Sequence, residues 1–169
     1  AKILSKKNDI LFSADKIVKN LYSNNQFKKI IKSKYKIKKK NIKSEIKLKL
    51  LNKDIALTEL GKLIHPFVRK KMKEFSKKNR KKEIIFFEIP LLIESNLMDF
   101  FDFIILVIAP QKKRLNRYLK SGGKKEMFKL LEKNQISSKK KIKYCDYLIV
   151  NNKSKDILKK KVHDIILDV

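Results

Sequence analysis

The chain has 169 residues, with 45 lysines and arginines against 17 acids and a formal charge of +28. That length suits one domain with a substantial core, and a single cysteine, Cys145, excludes a disulfide framework or a thiolate metal cluster. His65 and His163 lie far apart, so no zinc site is expected, and no apolar run reaches the ~18 residues of a membrane span. The expected location is the cytoplasm, with no membrane partner.

The charge has two readings. One is a polyanion partner such as nucleic acid or a nucleotide. The other is the Lys/Ile/Asn-heavy composition of an AT-rich genome, with lysines spread over solvated faces. The basic residues form no single tail or stripe, which favours the second. Only Arg69, Arg80, Arg114 and Arg117 are arginine. Where lysine is the default, an arginine can mark a need for the planar fork that grips phosphate or carboxylate.

In chain order, residues 1–8 resemble the end of a helix with a lysine-rich C-terminus. Ile10-Leu11-Phe12 reads as a short strand, and Lys16 to Tyr22 as a helix with Ile17, Val18 and Leu21 on one face. From Gln26 to Asp54 lysine is so dense that periodicity is hard to score. Ile30, Ile31, Ile42, Ile46, Leu48 and Leu50 there suggest short helices over a smaller core. Ile55 to Phe75 reads as a long helix, broken or kinked near Pro66, and Ser76 to Lys82 as a polar linker.

The segment from Ile84 to Pro110 is the least interrupted by lysine. Ile84-Ile85-Phe86-Phe87 and Phe103 to Ile108 are strand-length, rich in β-branched and aromatic residues, and lack polar alternation. Such runs predict strands buried on both faces, as in a parallel sheet covered by helices. Beyond them come a helix at Gln111–Lys120, a break at Ser121-Gly122-Gly123, and a helix at Lys124–Asn134. Ile136 to Lys143 reads as a polar turn or short helix. Tyr147 to Val150 is a last strand, followed by a closing helix from Lys155 to Leu167. Strands alternating with helices predict an α/β domain with a helical insertion.

Asp15 follows a strand and opens a helix, so it reads either as an N-cap or as a general base or magnesium ligand. Glu88 and Glu94 follow the next strand, at the sheet edge where α/β proteins bind ligands. They converge with Asp15 only if the strands are parallel neighbours. His65 and Arg69 sit one turn apart near Pro66. The only glycines are Gly61, Gly122 and Gly123, so the 169 residues contain no G-x-x-x-x-G-K-[ST] phosphate loop. Gly122-Gly123 reads as a hinge between two lid helices.

Several segments together resemble the dephospho-CoA kinase family of P-loop kinases. Ser13-Ala14-Asp15-Lys16-Ile17 resembles its D-A-D-x-I, and Leu63 to Arg69 its L-x-H-P-x-[IV]-R. Glu88 to Ser95 resembles D-[IV]-P-L-L-[FI]-E-S. Val107 to Pro110 with Arg114 and Arg117 resembles the strand and helix leading to the lid. Gln135 and Cys145 to Asn151 resemble the region after it. The resemblance covers nearly the whole chain in order.

It implies an α/β fold with a P-loop kinase-type parallel sheet, order 2-3-1-4-5, flanked by helices. The expected organisation is one domain with a core of residues 1–22 and 83–169. A helical CoA-binding insertion would span about 23–82 and a lid about 114–143. The implied activity is ATP- and Mg²⁺-dependent phosphorylation of the ribose 3′-hydroxyl of dephospho-CoA. Asp15 would be the base and Arg117 would stabilise the transferring phosphoryl group. His65, Arg69, Pro90, Leu91 and Glu94 would bind the acceptor. Arg114, Lys120, Gln135 and Asn151 would serve ATP and the lid, and no residue is assigned as a metal ligand.

Three departures stand out. Ser13 replaces the first acid of D-A-D. Ser121-Gly122 stands where the family's lid has R-D, leaving Lys120 or Lys124 to supply charge. The family's first, central strand and P-loop have no counterpart, so an inactive fragment lacking ~15–25 upstream residues is expected. The alternatives are another kinase or pseudokinase of this fold, or a basic nucleic-acid-binding protein. The last would interleave aromatics with its basic face, whereas Phe86, Phe87, Phe100, Phe101 and Phe103 fall in or beside the buried-strand region. No stable nucleic-acid partner is expected, and the protein would be a monomer or small homo-oligomer.

Overall fold

The structure is a computed structural model that describes residues 10–168. The expectation for residues 1–8 lies outside them. The described residues divide into two compact units, one running to Pro90 and one beginning at Leu91.

In the first unit, β1 (Ile10–Ser13) pairs in parallel with β2 (Ile85–Glu88), in a register that sets Ile10 against Ile85 and Ser13 against Glu88. Parallel strands cannot be joined by a tight turn. Four helices fill the crossover: α1 (Ala14–Leu21), α2 (Asn25–Tyr35), α3 (Ile42–Leu51) and α4 (Leu57–Asn79). The lysine-dense region resolves into a simple rule. Phe27, Ile31 and Tyr35 on α2, and Ile42, Ile46 and Leu50 on α3, are buried at a spacing of four. Each helix thus turns one narrow apolar stripe inward and leaves its lysines in water. Asparagines start both, with Asn24 Oδ1 accepting from Phe27 N at 2.9 Å and Asn41 Oδ1 from Ser44 N at 3.2 Å. Ile30 and Leu48, expected in this core, lie outside the stripes and are exposed.

Of the break or kink expected near Pro66, the break does not occur, and helix replaces most of the expected linker, since α4 continues to Asn79. Leu60, Ile64, Val68 and Met72 form one buried ladder on both sides of the proline. That continuous burial offsets the hydrogen bond that Pro66 removes. Phe75 on α4 meets Phe12 and Phe87 of the strands with ring centroids 5.4 and 5.8 Å away, so this helix roofs the parallel pair. Among the described residues, three non-glycine positions adopt left-handed backbone: Lys36 (φ 50°), which caps α2, Lys53 (φ 64°) and Asn96 (φ 52°).

In the second unit, β3 (Ile105–Ile108) pairs in parallel with β4 (Tyr147–Val150). Asp146 fixes the register, its carboxylate accepting from Ile104 N at 2.7 Å while its own N–H donates to Ile104 O at 3.0 Å. The crossover carries α5 (Gln111–Lys120), α6 (Lys125–Lys133) and α7 (Ser138–Lys141), and α8 (Lys155–Asp168) follows β4. Gly122 takes φ 84° at the turn after α5. Any Cβ on Gly123 would lie 2.1 Å from the Tyr118 ring. Tyr118 in turn packs on Phe128, with ring centroids 5.8 Å apart, so α5 and α6 form a packed hairpin. The glycine pair forms a tight turn closed over by a tyrosine, at the position read as a hinge between the two helices.

The two strand pairs, β1-β2 and β3-β4, are the 2-3 and 4-5 neighbours of the expected order. The expectation of strands buried on both faces needs correction. No residue of β2 or β3 is fully buried, and Val107 is 54% exposed. Among the described residues each of these strands has one partner only. No helix among them is long and apolar enough to cross a membrane.

Candidate active site

The first cluster forms at the C-terminal ends of β1 and β2. Ser13 is the N-cap of α1, without a side-chain capping bond, and Asp15 stands in the first helical turn. The N-cap reading of Asp15 is thereby set aside. Because Ser13 is registered against Glu88, the parallel pairing brings Glu88 to the same edge, as the sequence required for convergence. The Asp15 residue is open to solvent as a whole. Even so, partial desolvation of its carboxyl, and secondarily the Glu88 charge, raise its pKa above the ordinary carboxylate value. A carboxylate tuned upward at the edge of a parallel sheet is suited to accepting a proton.

His65 and Arg69 share a face of α4, one turn apart. Burial, then the Arg69 charge, lowers the His65 pKa, so the imidazole is neutral at pH 7. Gly61 lies one turn earlier, where a Cβ would come within 3.3 Å of His65 Nε2, so the missing side chain leaves room for the ring. Arg69 also lines an open groove of about 460 Å³ with Pro66, Lys70, Lys73, Glu74 and Lys77. An Arg69→Met variant should raise the His65 pKa partway to its ordinary value, leaving the burial part in place. Titration of the imidazole by NMR checks this, and an unmoved pKa would show that the guanidinium does not act on His65.

In the second unit, the arginines of α5 have different surroundings. Arg114 Nε donates to Ala109 O at 3.0 Å, its guanidinium pairs with Glu132 of α6, and it lies over the Phe128 ring. It braces the α5–α6 hairpin. Arg117 is exposed, and its Nη2 approaches Asn151 Oδ1 at 3.5 Å. Asn151 is fixed just past β4 by its own N–H, which donates to Ile108 O at 2.7 Å. Arg117 and Asn151 thus meet at the C-terminal edge of the β3-β4 pair. Lys120 and Gln135 are exposed, at the end of α5 and just after α6. Pro90 is exposed, while Leu91 is half-buried. Glu94 points inward, onto Ile136 N and Lys141. Nothing in the sequence singles out Lys141, which sits within a run of three lysines.

No group of three or more His, Cys, Asp or Glu among the described residues could hold a metal ion. Asp15 and Glu88 offer two carboxylates at one edge. That number suits magnesium bound chiefly through nucleotide phosphates and water.

Parallel strands followed by helices, with functional groups gathered at the strands' C-terminal ends, define an α/β protein with its site at the edge where such sheets bind ligands. Two solved structures share this fold. One, from Thermus thermophilus, matches with a TM-score of 0.73 at 21% identity, over 99% of this chain and 88% of its own. The other, described as a dephospho-CoA kinase from Campylobacter jejuni, matches with a TM-score of 0.63 at 24% identity, over 95% and 85%. The dephospho-CoA kinase (CoaE) family model matches residues 14–156. The dephospho-CoA kinase of Fusobacterium nucleatum is 33% identical over 168 residues, which are 96% of this chain and 86% of that protein. The chain belongs to the dephospho-CoA kinase family, a family of ATP-using kinases.

Proposed function

We propose that this protein transfers the γ-phosphoryl group of ATP to the ribose 3′-hydroxyl of dephospho-CoA. Asp15 takes the hydroxyl proton as the oxygen attacks phosphorus. The bond from the γ-phosphorus to the bridging oxygen breaks, ADP leaves, and the proton passes from Asp15 to solvent. Magnesium, carried in on the ATP phosphates, would neutralise part of the developing charge. The observation that carries this reading is the raised pKa of Asp15 at the β1-β2 edge, in a chain of this family.

The other roles are assigned by resemblance and by the surroundings of each residue. By resemblance, His65 and Arg69 serve acceptor binding within a CoA-binding insertion of about residues 23–82, where Arg69 adds a charged fork for phosphate, and Pro90 and Leu91, which follow β2, are assigned to acceptor binding on the same ground. Residues of about 114–143 act as the lid. Exposed Arg117 reaches the transferring group, Lys120 adds charge, and Asn151 and Gln135 hold the nucleotide, while Arg114 stiffens the lid hairpin. The catalytic site is cytoplasmic.

Incubation of the full-length gene product with ATP, magnesium and dephospho-CoA should yield coenzyme A and ADP in equal amounts. Binding of dephospho-CoA without turnover would instead identify an acceptor-binding pseudokinase. Salt-sensitive binding of duplex DNA that displaces ATP would favour a nucleic-acid partner.

A further inference from the structure

Lys141 is the only lysine among the described residues with a buried position. Every other lysine there is exposed or half-buried, in keeping with the cost of desolvating a charge. Its partner is Glu94, whose Oε1 lies 2.7 Å from Lys141 Nζ, with the two side chains only 10% and 14% exposed. The same oxygen accepts the N–H of Ile136 at 3.0 Å, and Glu94 Oε2 is buried without a hydrogen-bond partner among the described residues. One oxygen is thus occupied by two donors and the other is shut away from solvent.

The loop that carries Glu94 is tightly wound. Ser95 N donates to Leu91 O at 2.9 Å, Asn96 N to Ile93 O at 3.1 Å and Leu97 N to Leu92 O at 3.2 Å. Its side chain is therefore presented from a stiff base. What it grips is the segment between α6 and β4, at two points: Ile136, next to Gln135, and Lys141, the last residue of α7.

We infer that Glu94 is a positioning residue for the lid and does not contact the acceptor. The Glu94–Lys141 pair clasps the C-terminal root of the lid to the loop at Leu91–Asn96 and fixes where Gln135 sits. The clasp itself needs only the contacts above; its consequence for ATP rests on the functional reading in the preceding section.

Two variants test it. Glu94→Gln keeps an oxygen for Ile136 N but removes the charge, and Lys141→Met removes the cation while keeping most of the stem. In the full chain without ligands, amide hydrogen exchange across Gln135–Lys141 should speed up by roughly tenfold in Lys141→Met, with α4 unchanged, because the opening is local. Lys141→Arg should restore protection. By calorimetry, both variants should weaken ATP binding several-fold and leave dephospho-CoA binding nearly intact.

Unchanged exchange in both variants would overturn the clasp. So would a loss of dephospho-CoA affinity in Glu94→Gln that Lys141→Met does not share, since that places the carboxylate on the acceptor. If the unaltered protein bound neither ligand, the functional reading would fall, and the exchange data would still decide the clasp.

Discussion

An Asp15→Asn variant should lose about 10²- to 10⁴-fold in turnover while still binding dephospho-CoA, the range expected when a positioned general base is removed. Asparagine keeps the shape of the side chain and cannot take the proton. Steady-state rates and equilibrium binding, measured side by side, separate the two effects, and unchanged turnover would remove Asp15 as the base. The pH dependence gives a second handle. Because the folded-state pKa of Asp15 is raised, by desolvation first and Glu88 second, the active carboxylate is lost as pH falls through that raised value. Glu88→Gln removes the smaller cause, so the acid limb of the rate profile should move to lower pH.

Stability should run the opposite way. A carboxyl whose pKa is raised by folding contributes its stabilisation below the unfolded-state pKa and loses it as pH rises through the folded value. Asparagine does not ionise. The stability difference between variant and parent should therefore shift in the variant's favour between acidic and neutral pH, as urea midpoints at several pH values would show. Function at Asp15 and stability of the fold thus pull against each other, as they often do at catalytic groups.

The largest effect on stability is expected at Phe27. Its side chain is fully buried, and its ring meets Tyr22 and Phe67 edge-on, with centroids 5.5 Å away in both cases. Phe27→Ala should cost about 3–5 kcal/mol, from the lost transfer energy and the cavity left behind. Against a typical total of about 5–15 kcal/mol, that could unfold the helical crossover between β1 and β2. Phe27→Leu fills most of the space and should cost much less. Equilibrium urea unfolding of the pair checks this, and equal midpoints would mean that the site collapses around the smaller residue.

Much of this was legible because lysine marks the surface so consistently. The four strands show themselves as runs that lysine does not enter, and parallel pairing then follows from the helices between them. The convergence of Asp15 with Glu88 needed only that pairing, so it could be stated from sequence as a condition. The path of α4 through Pro66 was not legible. A proline's local cost can be read from sequence, whereas the burial of Leu60, Ile64, Val68 and Met72 that offsets it depends on tertiary packing. The partners of Arg114 and Glu94 were hidden for a similar reason. Glu132 and Lys141 are ordinary members of a charged sequence, and only folding sets them apart. Resemblance placed Arg114 with ATP, while its contacts with Ala109 and Glu132 tie it to the hairpin.

The left-handed backbone at Lys36 and Lys53 has a consequence for stability. Such positions are ordinarily left to glycine, because a Cβ there costs roughly 1–2 kcal/mol. This chain spends its three glycines elsewhere. At these two turns the chain therefore carries a local backbone cost beneath a solvent-facing charge. Replacing either lysine with glycine should relieve that cost, offset in part by the freedom glycine adds to the unfolded chain.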